Sequence, residues 1–536
     1  MKRFFCRWAP GIPFLIASVV LAMWVQRYGP HWPSRDGFLY FEKYDALVDG
    51  KLSVAKFLSL KDNEHPIAFQ IALASLFLKA FPGSVWSLMV ANAVFLWGSA
   101  IILYAAVVSS ITDQTRRVML AVLVCAAILI GSQAGSLLWE FQLWFYCTLL
   151  LLALNILLVE RRGLKLYPVV FLCCLLASGN EAQGTFLWLV SGLHVFHTAS
   201  KRDSLTVRRV GCAILIAHVA AFLSLMWVLL HGHYGGSPDH RVAVSVVDRI
   251  VYGIALVGGG SGVQNPSFSF VFGLLSMATW AIGTAFAVRH RFSSAIYRVA
   301  FLTTGLSLLW MAAFAIGRAS FGIEWAFGEF HASQMMIPFY AGIGMYAVAI
   351  TNEAGVGPRV AAACLSAVCV APVFTGIHFA LDYSRFMKLN SLLAAAAECT
   401  DSGSTIEFKT RISGLGNMRK LYSSVVERHR DDLCSGQKQL NSGAQLLAPP
   451  GLFQQLSSGD IATGEALHDL WLLYLERQDV REAFPITDST TPRRLLRWAS
   501  GEAASGSTAG QGIFVRHADA LQRAWGLVRS DVEQNR

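Results

Sequence analysis

Between Tyr28 and Pro66 the chain carries a polar insert with acids at both ends. Trp32-Pro33-Ser34-Arg35-Asp36 opens it and Asp62-Asn63-Glu64-His65-Pro66 closes it. Carboxylates and an imidazole gathered at one surface are groups that take and return protons, so Asp36, Glu64 and His65 are candidate catalytic residues. Glu42, Asp45 and Asp49, in the middle of the insert, read as solvated surface charges whose replacement should be nearly silent. Other polar groups stand at the edges of apolar runs: Trp139-Glu140-Phe141-Gln142, Asn180-Glu181, and Gly317-Arg318 followed by Glu324 and Glu329. An ionisable group beside hydrocarbon costs about 2.5–3.5 kcal/mol on insertion scales, so it tends to pair or to serve a purpose. A guanidinium at a helix end forks well onto a phosphate, which makes Arg318 the strongest anion-binding candidate; a bridge to Glu324 or snorkelling to the interface is the plainer alternative. His231 and His233 read as ordinary loop residues. No HExxH or CxxC pattern occurs, so no zinc site is expected. Gly258-Gly-Gly-Ser-Gly262 lacks the strand-before, helix-after setting of a phosphate loop and reads as flexible.

What must position these groups is a membrane bundle. The chain has 536 residues, of which 54% are hydrophobic and only 15% charged, against about 25% charged in soluble domains. The expected class is an all-α polytopic membrane protein. Spans are predicted near 11–25, 85–108, 118–137, 141–159, 166–177, 185–199, 210–230, 267–288, 297–316, 335–350 and 360–380, about eleven crossings of a hydrocarbon core roughly 30 Å thick. The run 67–81 is short and is broken by Pro82-Gly83, so it is expected to lie at the interface or to re-enter. The net charge of +10 sits largely in short basic loops: Arg116-Arg117, Arg161-Arg162-Lys165, Lys201-Arg202-Arg208-Arg209, Arg289-Arg291 and Arg359. In the eleven-pass reading these loops share one side, the cytoplasm by the positive-inside rule. Orientation accounts for the basic excess, and no nucleic-acid module is visible. The N-terminus would then be cytoplasmic, and the insert 28–66 and the tail external.

The expected domains are a membrane domain over 1–383 and a soluble tail over 384–536. The tail includes a helical module near 465–500 and a Gly/Ser-rich linker at 501–512. All ten cysteines except Cys399 and Cys434 lie in or beside apolar runs, where a thiol behaves as a small hydrophobe. In an oxidising compartment Cys399 and Cys434 could pair; otherwise they are two free thiols.

The order of elements resembles bacterial GT-C glycosyltransferases, in particular a branch with an acid in the first external loop and an Asn-Glu-His re-entry motif. The matching positions are Asp36, Asn63-Glu64-His65, Trp139-Glu140-Phe141-Gln142, Asn180 and Gly317-Arg318, within roughly the first 380 residues. Pro66 replaces the Arg that usually follows the His, and Glu329-Phe330-His331 stands where a Ser-Arg-Tyr triplet is usual. The tail stretch Leu470–Pro485 with Arg494–Trp498 resembles a helical module that accompanies many bacterial glycosyltransferases, with Gln478 and Arg481 departing from its pattern. That module is commonly cytosolic, which conflicts with an external tail.

The resemblance implies a GT-C-like fold and a bacterial inner-membrane enzyme taking a sugar from a polyprenyl-phosphate donor to a cell-envelope glycan or other acceptor. Asp36 would be the general base. Arg318, with His65, would bind the departing lipid phosphate, and Trp139, Glu140, Gln142, Asn180 and Glu181 would contact lipid phosphate or substrate. Glu64 could orient the acceptor or hold a divalent cation, and metal dependence stays open. Competing readings are a lipid-linked sugar flippase or transporter, and a surface-polysaccharide polymerase or ligase.

Overall fold

Lipid offers the backbone no hydrogen-bond partner, so a chain this apolar has to satisfy its N–H and C=O groups within helices. The computed structural model describes residues 9–62, 65–180, 182–231, 244–263, 265–321, 326, 330–399, 413 and 418–434. Apart from a two-residue pairing of β1 (Lys61–Asp62) with β2 (His65–Pro66), their regular structure is helical. In the first part come α1 (Gly11–Tyr28), α2 (Gly37–Val48), α3 (Val54–Leu58), α4 (Ala68–Ala80), α5 (Val85–Val107), α6 (Gln114–Ile128) and α7 (Ala134–Leu137). The middle holds α8 (Leu143–Arg162), α9 (Tyr167–Ser178), α10 (Phe186–Ser200), α11 (Leu205–His231) and α12 (Val246–Gly259). The last part is α13 (Pro266–Arg289), α14 (Ala295–Arg318), α15 (Phe330–Ile350), α16 (Val356–Thr375), α17 (Ile377–Cys399) and α18 (Arg419–Cys434).

Among the described residues, eight stretches are long and apolar enough to cross a membrane, or nine if a pair bent by 41°, Gln114–Ile128 with Gly131–Leu137, is one span. The protein is therefore a multi-pass helical membrane protein. The eleven expected crossings exceed this number because apolar runs were counted without regard to helix length. Helices α9 and α10 have 12 and 15 residues, about 18 and 23 Å at 1.5 Å per residue, short of a bilayer core. The 13-residue α4 is likewise too short to cross, in line with an interfacial or re-entrant segment. Helix α15 is buried from Ser333 to Ile350 and is the centre around which α14, α16 and α6 pack.

The Gly258–Gly262 segment departs from its expected flexibility. A Cβ at Gly258 would overlap the Ser269 carbonyl of α13, and Gly262, with φ +76°, lies against Gly376 and Ser132. Ser132 Oγ donates to the Gly260 carbonyl (2.7 Å) and Thr375 Oγ1 to the Ser261 carbonyl (2.7 Å). The glycines here let backbones touch, a packing role.

The two ends of the bundle differ in chemistry. At one end the basic loops meet. The Glu160 side chain is 6% exposed and accepts from Arg298 Nε (2.8 Å) and Nη2 (2.6 Å), with His194 Nε2 at 2.8 Å. Arg161 Nη2 donates to the Ala105 carbonyl (2.6 Å), and Lys201 Nζ to that of Phe292 (2.7 Å). At the other end the polar insert meets the turn before α8, α17 and α18.

The Glu160–Arg298 fork generates a prediction. Breaking a fully buried pair costs about 3–5 kcal/mol; the side chains of this pair are 16% and 6% exposed and His194 stays beside Glu160, so the low end of that range applies. Arg298→Met should lower the unfolding free energy of the detergent-solubilised protein by that order, and adding Glu160→Leu should restore most of it. Equal stability of Arg298→Met and wild type would reduce the fork to a surface contact.

Candidate functional site

The insert is stitched to the bundle through its first turn. The backbone N–H of Ser34 donates to Glu140 Oε1 at 2.7 Å. Glu140 belongs to the single 3₁₀ turn Glu140–Gln142 and is fully buried. Its second oxygen, Oε2, has no hydrogen-bond partner among the described residues. A Cβ at position 37 would overlap Glu140 Oε1, so Gly37 is what lets the carboxylate sit against the start of α2. Between them, Arg35 takes φ 49°, a left-handed conformation that costs a non-glycine residue about 1–2 kcal/mol. Two contacts hold it: its N–H donates to the Ser413 carbonyl (2.8 Å), and its guanidinium lies 5.6 Å from the Trp139 ring centroid. Asp36 follows, half-buried, at the N-cap of α2 but without capping it through its side chain. Asp36 and Glu140 are near enough for their charges to oppose each other.

The turn carrying Glu140 is itself fixed. Asn92 Nδ2, fully buried within α5, donates to the carbonyls of Leu137 (3.3 Å) and Trp139 (3.2 Å). Tyr40 Oη donates to the Phe141 carbonyl (3.0 Å), and Gln70 Nε2 donates to both Tyr40 Oη (2.6 Å) and that carbonyl (3.2 Å). Asn180 Nδ2 donates to the Trp144 carbonyl (2.8 Å) and to Thr148 Oγ1 (3.1 Å). Of the residues expected to touch substrate, Trp139, Glu140, Gln142 and Asn180 are thus all inside the protein.

The end of the membrane domain joins the same assembly. The expected boundary at 383 falls within α17, which continues to Cys399. Trp24 Nε1 donates to Ser384 Oγ (3.0 Å), and Ser391 Oγ accepts from the backbone N–H groups of His31 and Trp32 (3.0 Å each). Lys388, buried on α17, donates to the Gly29 carbonyl at 3.1 Å. Burial and this ammonium push His31 down to about 4.

Asp45 and Asp49 are not free surface charges. Arg428 of α18 forks onto Asp49 (2.8 Å twice) and places Nε 3.1 Å from Asp45, while His429 Nε2 lies 2.9 Å from Asp45 Oδ1. The guanidinium holds the Asp49 carboxyl well below the usual carboxylate range. Ring contacts Phe38–Tyr422 (5.5 Å) and Phe41–His429 (5.2 Å) complete the seam. Cys399 and Cys434 are joined by a disulfide, which ties the end of α18 to the end of α17.

Arg318 closes α14 with its guanidinium 5.4 Å from the Phe314 ring centroid. The backbone of His65 pairs with that of Asp62 in the β1–β2 turn. Asn63, Glu64, Glu181, His233, Glu324, Glu329 and the helical module near 465–500 lie outside the described residues. Among the described residues no group of three or more His, Cys, Asp or Glu side chains could hold a metal ion. Sequence reasoning missed Ser34, Gly37, Gln70, Asn92, Lys388, Ser391 and Ser413. Gln70 and Asn92 did carry a signal, as amides inside apolar runs, which need a partner there.

No protein family, curated protein or solved structure matched the chain.

His31 yields a pH prediction. In the unfolded chain its imidazole binds a proton below about pH 6.5, whereas the folded protein resists protonation down to about 4. The unfolded state therefore holds more protons in that window, and stability falls as pH falls through it. His31→Gln should lose less thermal stability than wild type between about pH 7 and about pH 4. Parallel losses in the two proteins would show that His31 is freely protonated in the folded state.

Proposed function

We propose that the chain is an integral-membrane glycosyltransferase of the GT-C type. It would transfer a sugar from a polyprenyl-phosphate donor to a cell-envelope acceptor at the end of the bundle that carries the insert. The observation that supports this best is Asp36, a half-buried residue on a turn held by Glu140, Ser413 and the Trp139 ring. In this reading Asp36 takes the proton of an acceptor hydroxyl as that oxygen bonds to the anomeric carbon. The bond from that carbon to the donor phosphate oxygen breaks, and the lipid phosphate leaves with the electron pair. Arg318 and His65 offset its charge, the kind of stabilisation that carries much of many enzymes' rate enhancement.

The basic loops gathered at one end favour a cytoplasmic assignment for that end. With α9 and α10 counted as passes, the chain crosses eleven times, and the insert, α17 and α18 lie outside, on the periplasmic face of a bacterial inner membrane. A disulfide is at home in that oxidising compartment. Alkaline phosphatase fused at Gly50 and at Gly436 should be active in both positions. An active cytoplasmic reporter at Gly436 would break the eleven-pass assignment.

The chemistry is tested on Asp36. General-base catalysis is worth about 10²–10⁴-fold, so Asp36→Asn should reduce transfer by that order in a reconstituted assay while donor binding persists. Mass spectrometry of lipid-linked and surface glycans with and without the gene would identify the sugar. Full transfer by Asp36→Asn with loss in Glu64→Gln would move the base to the far end of the insert. Transfer unaffected by either change would place the active site outside the insert, and absence of transfer in the wild-type protein would favour a transporter.

A further inference from the structure

The two carboxylates at the start of α2 differ in one respect that divides their roles. Asp36 is half-buried, whereas Glu140 is wholly buried. Of the two, Glu140 is closed to an acceptor hydroxyl. Glu140 instead touches the backbone on both sides of Asp36, accepting from Ser34 N–H at 2.7 Å and filling the space a side chain would occupy at Gly37. Its turn is rigid because Asn92, Tyr40 and Gln70 satisfy the carbonyls around it. Arg35, the residue between Ser34 and Asp36, is held left-handed by this frame and by the Ser413 carbonyl. Strained backbone of this kind persists where its surroundings over-determine it.

We propose that Glu140 is the positioning residue of the site: its Oε1 fixes the Ser34–Gly37 turn and thereby the place of the Asp36 carboxylate. This rests on the reading of Asp36 as general base. It assigns Glu140 a task set by a hydrogen bond and not by its charge. A carboxylate buried beside another carboxylate would be a poor ligand for a lipid phosphate, since like charges repel.

The two mechanisms predict opposite orders for the conservative variants. Glu140→Gln keeps the length and an acceptor oxygen for Ser34, and its amide would sit where Oε2 has no partner. Glu140→Asp keeps the carboxyl group but withdraws the acceptor by one methylene. Misplacing a catalytic group by about 1 Å costs on the order of 100-fold. Glu140→Asp and Glu140→Leu should therefore lower kcat by roughly 10- to 100-fold, with KM for the donor little changed. Glu140→Gln should stay within about threefold of wild type, since neutral acceptors make somewhat weaker hydrogen bonds than charged ones.

Hydrogen–deuterium exchange at the Ser34 amide supplies a readout independent of transfer. It should be slow in wild type and Glu140→Gln and faster in Glu140→Asp and Glu140→Leu, in full-length protein in detergent. Unchanged exchange in both of the latter overturns the proposal, as does an active Glu140→Asp beside an inactive Glu140→Gln. Full transfer by Asp36→Asn would remove the general-base role, and with it the positioning of a catalytic group. The Ser34 exchange series would then decide only whether Glu140 holds the turn.

Discussion

The hydrogen bond from Ser34 N–H to Glu140 Oε1 joins two chemically unlike parts of the chain, a polar insert and an apolar bundle, alongside the contacts of Tyr40 with Phe141 and Gln70. A buried carboxylate is costly unless its oxygens are engaged, and a polar loop at a membrane surface has water as a competing partner. The bond is feasible because Gly37 leaves room for it and because the turn bearing Glu140 is already held by Asn92 and Gln70, amides supplied by α5 and α4. The first loop is thus built from within the membrane outward, with each layer satisfying polar groups of the next.

The same logic acts differently at the opposite end. There Arg161 and Lys201 donate to the Ala105 and Phe292 carbonyls and Arg298 closes on Glu160, so basic residues near the loops are spent on holding helix ends together. Satisfied charges of this sort leave little free capacity for a ligand. At the insert end, by contrast, Glu140 keeps one oxygen without a partner among the described residues. The contrast in bonding capacity is what separates a structural end from a candidate reactive one.

Much of the fold was legible from apolar runs because hydrocarbon length is a strict ruler. The ruler is least sharp at α9 and α10, whose runs are apolar but whose helices, at 12 and 15 residues, are shorter than the hydrocarbon core. Of the site, Asp36 could be singled out from its place at a membrane edge, and Glu140 from its cost beside hydrocarbon. Their relation was invisible, since 106 positions separate Ser34 from Glu140. Gly37 and Ser413 carry no local signal: one matters for what it lacks, the other only for a carbonyl. Asp45 and Asp49 were misread for the same reason, because an acid on an exposed helix looks solvated until its partner, here on α18, is known.

That partner changes what the tail does. Exposed ion pairs are individually weak, so the contacts of Arg428 with Asp45 and Asp49 would not alone keep a 16-residue helix docked. Closing the chain between Cys399 and Cys434 raises the local concentration of α18 at α2, and linking turns weak contacts into an intramolecular association. The Phe38–Tyr422 and Phe41–His429 contacts then have little entropy left to overcome. Ser413, which holds Arg35 in its left-handed conformation, lies inside that closed loop. The geometry beside Asp36 is consequently set from two directions, by Glu140 from the bundle and by Ser413 from the tail. A change in either reaches the same backbone turn.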